Sequence, residues 1–567
     1  MPLSQAQIKD QLTAPGAQFE MEDIVVRGQK LRAWKNAPRT LREIFETSTQ
    51  FADRDFIVYE DDRLTYGDHY RQVVALTHAM VKDFGVQNGD RVAIAMRNYP
   101  EWSVAFWAAV CSGAIVVPVN AWLKGEELDY CLADSGSTVL ICDQAREKAL
   151  APHYDSLGMK AVIVARAEEP LLPGHFDFAD VIAAHADHDA LPDVAIDTDD
   201  DATIFYTSGT TGSPKGALGT HRNICTSLLS LAYVGHQTTL RLGNEIPAPE
   251  DAPRRHSLLS VPLFHVTGSH SNLVPILFGG GKMVLMYRWQ PEQALQLIEQ
   301  EEITGFGGVP AMVWQVLESP ELTKYDVSSI AGIGYGGAPA ASELVRRIQQ
   351  AFPDAQPSNG YGMTETSGIA TMNAGIDYIE NPDSVGTVLP VCDVIIADDD
   401  GLEVPRGEMG EIWMRGPNII RGYWNMPEAT AEAITDGYMH SGDIGTMDEA
   451  GFVYVVDRAK DMLIRGGENI YCVEVENALF DHPDVIDAAV IGLPHMVLGE
   501  EVAAVVQLTD GSSATPQDLM DHAAGLIAKF KVPIEIEIRD EPLPRNANGK
   551  ILKRDLRTEL AARQATT

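Results

Sequence analysis

The chain of 567 residues has few cysteines, little positive charge and no long apolar run, and each shortage excludes a class of protein. Its six cysteines (Cys111, Cys131, Cys142, Cys225, Cys392 and Cys472) are scattered, with no CxxC and no paired spacing. That excludes a disulfide framework or a zinc cluster and fits reduced core residues of a cytoplasmic protein. Lys and Arg number 43 against 81 Asp and Glu, a formal charge of -38, so a general nucleic-acid binder is not expected. A polyphosphate ligand would have to be met by locally placed cations and backbone amides. The longest apolar stretch, Val104 to Val119, is broken by Ser112, Gly113 and Pro118, which suits a buried helix–turn–strand unit and not a membrane span. No basic-then-apolar leader opens the chain, so no secretory signal is expected; peripheral membrane contact stays open.

What is present is a hydrophobic content of 45% and a length beyond one ordinary core, hence two or more domains. From about Leu41 to Ala165 helical and strand patterns alternate: RVAIAM (Arg91–Met96), a helix over Glu101 to Cys111, AIVVPV (Ala114–Val119), a helix over Glu126 to Ala133, and TVLIC (Thr138–Cys142). This βαβ rhythm predicts a largely parallel sheet with helices on both faces. After about Val385 the pattern changes to short strands between Gly/Asp/Pro turns, a small β-rich lobe over about 385–457. The expected class is α/β: an N-terminal extension (1–40), a large domain (41–459) and a small C-terminal α+β domain (460–567).

The densest signal is YTSGTTGSPKG, Tyr206 to Gly216, directly after the apolar run Ala202–Phe205. A strand emptying into a loop of glycines and hydroxyls can wrap an anion with backbone N–H groups, with Thr207, Ser208, Gly209, Thr210, Thr211 and Gly212, and with Lys215 as a mobile charge. It is not a Walker loop, because no Gly-Lys-Ser/Thr step is present. Gly336-Gly337-Ala338-Pro339 sits at a strand's carboxyl end, where a flat group or phosphate could approach; a plain strand–helix turn explains it equally. The run Asn359-Gly360-Tyr361-Gly362-Met363-Thr364-Glu365 is more specific. Tyr361 could stack on a base, Thr364 bond a phosphate oxygen and Glu365 hold Mg²⁺ between phosphates. Asp443 in HSGD is a candidate for ribose hydroxyls, Arg458 in DRAKD follows an apolar run, and Lys550 stands in a Gly-containing turn near the end.

Together YTSGTTGSPKG, NGYGMTE, HSGD, DRAKD with GGENI, and the terminal NGK resemble the ordered signatures of the adenylate-forming acyl-CoA synthetases, a superfamily shared with firefly luciferase and peptide-synthetase adenylation domains. The likeness spans about Leu41 to Arg554. It implies ATP, Mg²⁺, a small carboxylic acid and coenzyme A as ligands, and a C-terminal domain that swings about a hinge at Lys460. It also implies that Tyr361 packs on adenine, Asp443 binds ribose, Thr364 meets the α-phosphate and Glu365 coordinates Mg²⁺. Arg458 would reach ribose or phosphate, Lys550 would serve adenylation, and His265 in PLFHVTG would gate the acyl pocket. Gly466, Gly467, Glu468 and Asn469 would line the thiol's approach. Tyr438 and His440 stand where many relatives carry Trp and Thr, and Asn-Ala-Asn precedes Gly549-Lys550 in place of the commoner Thr-containing form.

The acyl pocket is expected between the strand ending at Gly334-Tyr335-Gly336 and the helix starting at Val309. Val309, Met312, Trp314 and Tyr335 make it apolar, with no nearby basic residue for a second carboxylate. A medium- or long-chain fatty acid is the expected substrate, an aromatic or sterol-derived acid the alternative. Transfer to a carrier protein and luciferase-like oxidation are the competing activities. A homodimer is compatible with the sequence, although no heptad run specifies one.

Overall fold

The computed structural model describes residues 3–207, 214–249, 251–337, 340, 342–458, 461–465, 468–495, 497–509, 511–546 and 549–564. Among them the strands form an eight-stranded sheet, a fourteen-stranded sheet, a five-stranded sheet and a two-stranded hairpin. The parallel strands Arg91–Ala95, Ile115–Pro118, Val139–Asp143 and Ala161–Ala165 occupy the eight-stranded sheet, as the βαβ rhythm predicts. Their runs are apolar on both faces because both faces are covered. One face packs on helix Gly125–Ser135. The other meets helix Pro100–Cys111, with Pro100 at its first turn and an end at Ser112-Gly113, where Gly113 takes φ +77°.

That helix is buried almost all round, because both large sheets close on it. Val92, Ile94, Val139 and Ile141 of one sheet and Ile57, Met283 and Leu285 of the other share a single apolar cluster with Trp102, Phe106 and Trp107. The outer face of the fourteen-stranded sheet carries helices Pro291–Gln300, Pro310–Leu317 and Ser342–Ala351. The result is alternating helix and sheet layers.

Three features go beyond the pattern read in the sequence. The strand after the anion loop, Lys215–Thr220, returns antiparallel to Asp201–Thr207, so the loop is the tip of a hairpin. The β-rich segment, expected within the large domain, continues the fourteen-stranded sheet: Gly386–Val388 pairs with Thr371–Ala374 and with Phe452–Arg458. Residues 3–40 include a helix (Gln5–Leu12) and the hairpin Met21–Val26/Gln29–Trp34. Ile8, Leu12, Phe19 and Trp34 bury themselves against Leu229 and Tyr233 of helix His221–Arg241.

The segment beyond Leu463 has its own sheet, with strands Val485–His495 and Gly499–Leu508 paired antiparallel and Glu535–Arg539 parallel to the second. Helices Cys472–Phe480 and Pro516–Leu526 cover one face, and Lys553–Gln564 contributes Leu556 and Leu560 to the other. The six cysteines are buried and unbridged. No described helix is long and apolar enough to cross a membrane.

Candidate active site

Several of the candidate residues lie close to one another where the two large sheets meet. Thr207 and Lys215 are paired across the neck of the hairpin, and Thr207 Oγ1 donates to the Lys215 carbonyl at 3.3 Å. Ser208, Gly209, Thr210, Thr211 and Gly212 lie outside the described residues, as do Ala338, Pro339, Lys460, Gly466 and Gly467. The neck is braced from outside: Tyr130 donates to the Pro214 carbonyl at 3.1 Å, and Tyr206 donates to Asp134 at 2.6 Å.

The interior strand Gln356–Tyr361 carries Asn359, Gly360 and Tyr361 at its carboxyl end, and a single 3₁₀ turn over Thr364–Thr366 follows. Gly362 cannot be replaced, since an added Cβ would lie 2.1 Å from the Gly368 carbonyl. Met363 opens the turn, its N–H donating to Thr366 Oγ1 at 2.9 Å. The Tyr361 hydroxyl donates to Asp443 Oδ2 at 2.8 Å, and Arg458 Nε sits 3.1 Å from Asp443 Oδ1. Asp443 and Arg458 are cross-strand partners, so antiparallel register creates the pair.

Glu365 is 5% exposed, and burial pushes its carboxyl above the usual range. Tyr423 donates to its Oε1 at 2.8 Å. Among the described residues no group of three or more His, Cys, Asp or Glu can hold a metal alone. A cation at Glu365 would therefore draw most ligands from phosphate and water, the sparse ligation that suits Mg²⁺, so the donor set fits that ion.

Lys550 comes from the other part of the chain. Its turn packs on the large domain, an added Cβ on Gly549 falling 2.6 Å from Val309 Cγ2. Burial and then the like charge of Arg458 lower the Lys550 ammonium to about 8, while Asp443, Glu365 and Asp461 act the other way. His265 stands at the start of a short helical turn; burial, then the charge of Lys550, lower it to about 3, so it is neutral, and its Nε2 has no hydrogen-bond partner among the described residues.

Other expected positions fall elsewhere. Tyr335, expected in the acyl pocket, is 5% exposed in the cluster on the helix-covered side of its strand, and its hydroxyl donates to Tyr378 at 3.0 Å. The pleat is the reason, because Ile333 and Tyr335 share one face and the half-buried Gly332, Gly334 and Gly336 the other. Gly337 takes φ +72° just past that strand. Val309 is buried against the Lys550 turn, and Met312 packs against the core between the sheets. Glu468 and Asn469 are exposed on the short strand Glu468–Ile470. Sequence reading missed Tyr423, Tyr130 and Arg27, whose partners lie 58, 84 and more than 390 residues away; only the isolated aromatics of RGYW hinted at the first.

Comparison with known proteins gives the family. The chain matches the AMP-binding enzyme family over residues 44–424 and the AMP-binding enzyme C-terminal domain over 474–550. It is 37% identical to a feruloyl-CoA synthase of Amycolatopsis sp. over 496 residues, 87% of this chain and 93% of that enzyme. It is 33% identical over 510 residues to the long-chain-fatty-acid–CoA ligase FadD13 of Mycobacterium tuberculosis, covering 88% of this chain and 94% of that one. The ATP-bound structure of MatB from Rhodopseudomonas palustris superposes with a TM-score of 0.79 at 30% identity, over 92% of this chain and 99% of MatB. Fold and matches define the class as adenylate-forming enzymes. The chain belongs to the AMP-binding enzyme family, within the acyl-CoA synthetase superfamily, and at that level its activity is AMP-forming ligation of a carboxylic acid to coenzyme A with ATP.

Proposed function

We propose that the acid is an apolar monocarboxylate, a medium- or long-chain fatty acid, and that the residues gathered here divide the work of two half-reactions. In the first, a carboxylate oxygen bonds to the α-phosphorus of ATP and the bond to pyrophosphate breaks. In the second, the thiol of coenzyme A attacks the acyl carbonyl and AMP leaves. The observation that carries the reading is the packing of the Gly549–Lys550 turn on Val309 of the large domain, which puts Lys550 within the charge field of Asp443, Arg458 and Glu365.

Tyr361 packs on adenine, and Asp443, held by Tyr361 and Arg458, accepts from ribose hydroxyls. Thr364 and Lys550 neutralise charge developing on the α-phosphoryl oxygens, and the Thr207–Lys215 loop holds the β- and γ-phosphates. Mg²⁺ at Glu365 would supply further neutralisation of the phosphates. The second step needs the lysine withdrawn, and rotation of residues 460–567 about Lys460 brings the Gly466–Asn469 face to the same cavity. His265, neutral and buried, shapes the acyl entrance.

An apolar acid is favoured because segments 261–278, 305–317 and 332–337 contain no Lys or Arg to meet a second carboxylate. A hydroxycinnamate-type aromatic acid is the second reading, favoured by the 37% identity to feruloyl-CoA synthase. The test is AMP and thioester formation with free CoA across C2 to C18 fatty acids, ferulate, benzoate, cinnamate and a sterol side-chain acid. A chain-length optimum supports the fatty-acid reading, and preference for ferulate replaces it with the aromatic one. AMP release without thioester moves the acceptor to a carrier protein.

A further inference from the structure

Tyr423 touches both halves of the candidate phosphate site. Its hydroxyl donates to Glu365 Oε1 at 2.8 Å, and the Lys215 ammonium lies over its ring, 5.1 Å from the centroid. The backbone leaves this residue little freedom. The strand Gly422–Tyr423 pairs with Lys215–Thr220, setting Tyr423 opposite Ala217. Its N–H donates to Thr430 Oγ1 at 2.8 Å, and the next residue's N–H donates to the Gly216 carbonyl at 2.7 Å. Gly422 takes φ +155° with Thr430 against it, where an added Cβ would fall 2.6 Å from Thr430 Cγ2. The ring also packs on the cluster that holds Ala217, Tyr361 and Met363.

We propose that Tyr423 is the positioning residue of the phosphate site: its hydroxyl aims the Glu365 carboxylate at the cation, and its ring face places the Lys215 ammonium beside it. A carboxylate free to rotate can chelate, swing away or turn to solvent; one oxygen tied to a fixed donor presents the other in a single direction. The cation–π contact does the same for a lysine that would otherwise sweep a wide arc. Tyr423 thereby couples the exit of the anion loop to the metal carboxylate. The inference rests on the reading of Glu365 as that carboxylate.

The hydroxyl and the ring are separable. Tyr423→Phe keeps the ring, its packing and the Lys215 contact; Tyr423→Leu removes both. Binding of the Mn²⁺–ATP complex, followed by electron paramagnetic resonance and calorimetry on the full chain without acid or CoA, reads the metal site with no turnover. Tyr423→Phe is expected to weaken Mn²⁺–ATP roughly tenfold, the usual cost of losing an outer partner of a metal ligand. It should raise the Mg²⁺ concentration for half-maximal ATP–pyrophosphate exchange to match, with near-normal exchange at saturating Mg²⁺ and an unchanged melting midpoint. Tyr423→Leu should in addition raise the ATP requirement at saturating metal. Combined with Glu365→Gln, Tyr423→Phe should cost nothing further, since the two act through one contact. Wild-type Mn²⁺–ATP affinity in Tyr423→Phe, with Glu365→Gln weakened, overturns the positioning role and leaves the metal carboxylate standing. An unweakened Glu365→Gln overturns the underlying reading and the proposal with it.

Discussion

The phenol of Tyr361 donates to Asp443 across 82 residues of sequence, and Arg458 holds the other oxygen of the same carboxylate. A carboxylate fixed on both oxygens keeps lone pairs in a set direction for the hydroxyls of a ribose. Asp443→Ala should weaken ATP binding by roughly ten- to a hundredfold, the range for lost hydrogen bonds to a charged group. Tyr361→Phe, which keeps the ring, should cost several-fold less. Calorimetric titration with ATP checks both, and unaltered affinity in Asp443→Ala would refute the assignment.

Lys550 carries a pH dependence with a definite sign. Its ammonium is lowered to about 8, so the charged form is complete below that pH and is lost above it. Pyrophosphate release in the adenylation step should therefore decline as pH rises through about 8. Lys550→Arg should remove that decline, because a guanidinium keeps its proton throughout. Lys550→Ala should slow adenylation by roughly 10²–10³ and spare thiolysis of supplied acyl-adenylate. Equal loss in both half-reactions would contradict the role.

Asp457 is 1% exposed just before the expected hinge, accepting from its own strand's Arg458 N–H at 2.7 Å and from the Cys472 N–H at the start of helix Cys472–Phe480. Burial raises its carboxyl to about 6 from a model-compound 3.8. The folded chain thus binds more protons than the unfolded one between these values, and stability from this group is present at low pH and lost as pH rises through 6. The loss amounts to about 2–3 kcal/mol at most. Asp457→Asn should flatten that part of the profile, so its unfolding midpoint should gain on wild type from pH 4 to 6 and keep the gain above. A constant difference between the two proteins would exclude the mechanism.

Arg27, at φ +49° in the N-terminal hairpin turn, donates to the carbonyls of Ile420 at 2.8 Å and Ile419 at 3.2 Å. The Ile420 N–H in turn donates to the backbone carbonyl of Glu365 at 3.0 Å. Arg27→Ala should lower stability by about 1–3 kcal/mol, since two carbonyls lose a charged donor. Urea unfolding measures it, and a change below a few tenths of a kcal/mol would show that the hairpin is not bearing on this segment.

Much of the nucleotide site is local in sequence. YTSGTTGSPKG and NGYGMTE each gather their residues within about a dozen positions, and the apolar run Ala202–Phe205 set the first at a strand's carboxyl end. The βαβ rhythm before Ala165 and the C-terminal strands were legible because strands covered on both faces, parallel or antiparallel, need apolar residues on both. Pocket lining was less legible: the pleat turns Tyr335 toward helix Ser342–Ala351, and apolar character alone does not report which face of a strand a side chain takes.

Sequence by itself determined the superfamily, the ordered motifs and the kinds of groups available for phosphate, ribose and metal, since these depend on residue type and short spacing. Only the tertiary structure decided that Asp443 faces Arg458, that Tyr423 joins Lys215 to Glu365, that Arg27 reaches Ile420 and that Lys550 enters the charge field of the large domain. Each of these depends on strand register or on packing between segments far apart in the chain, and no local pattern encodes a distance between them.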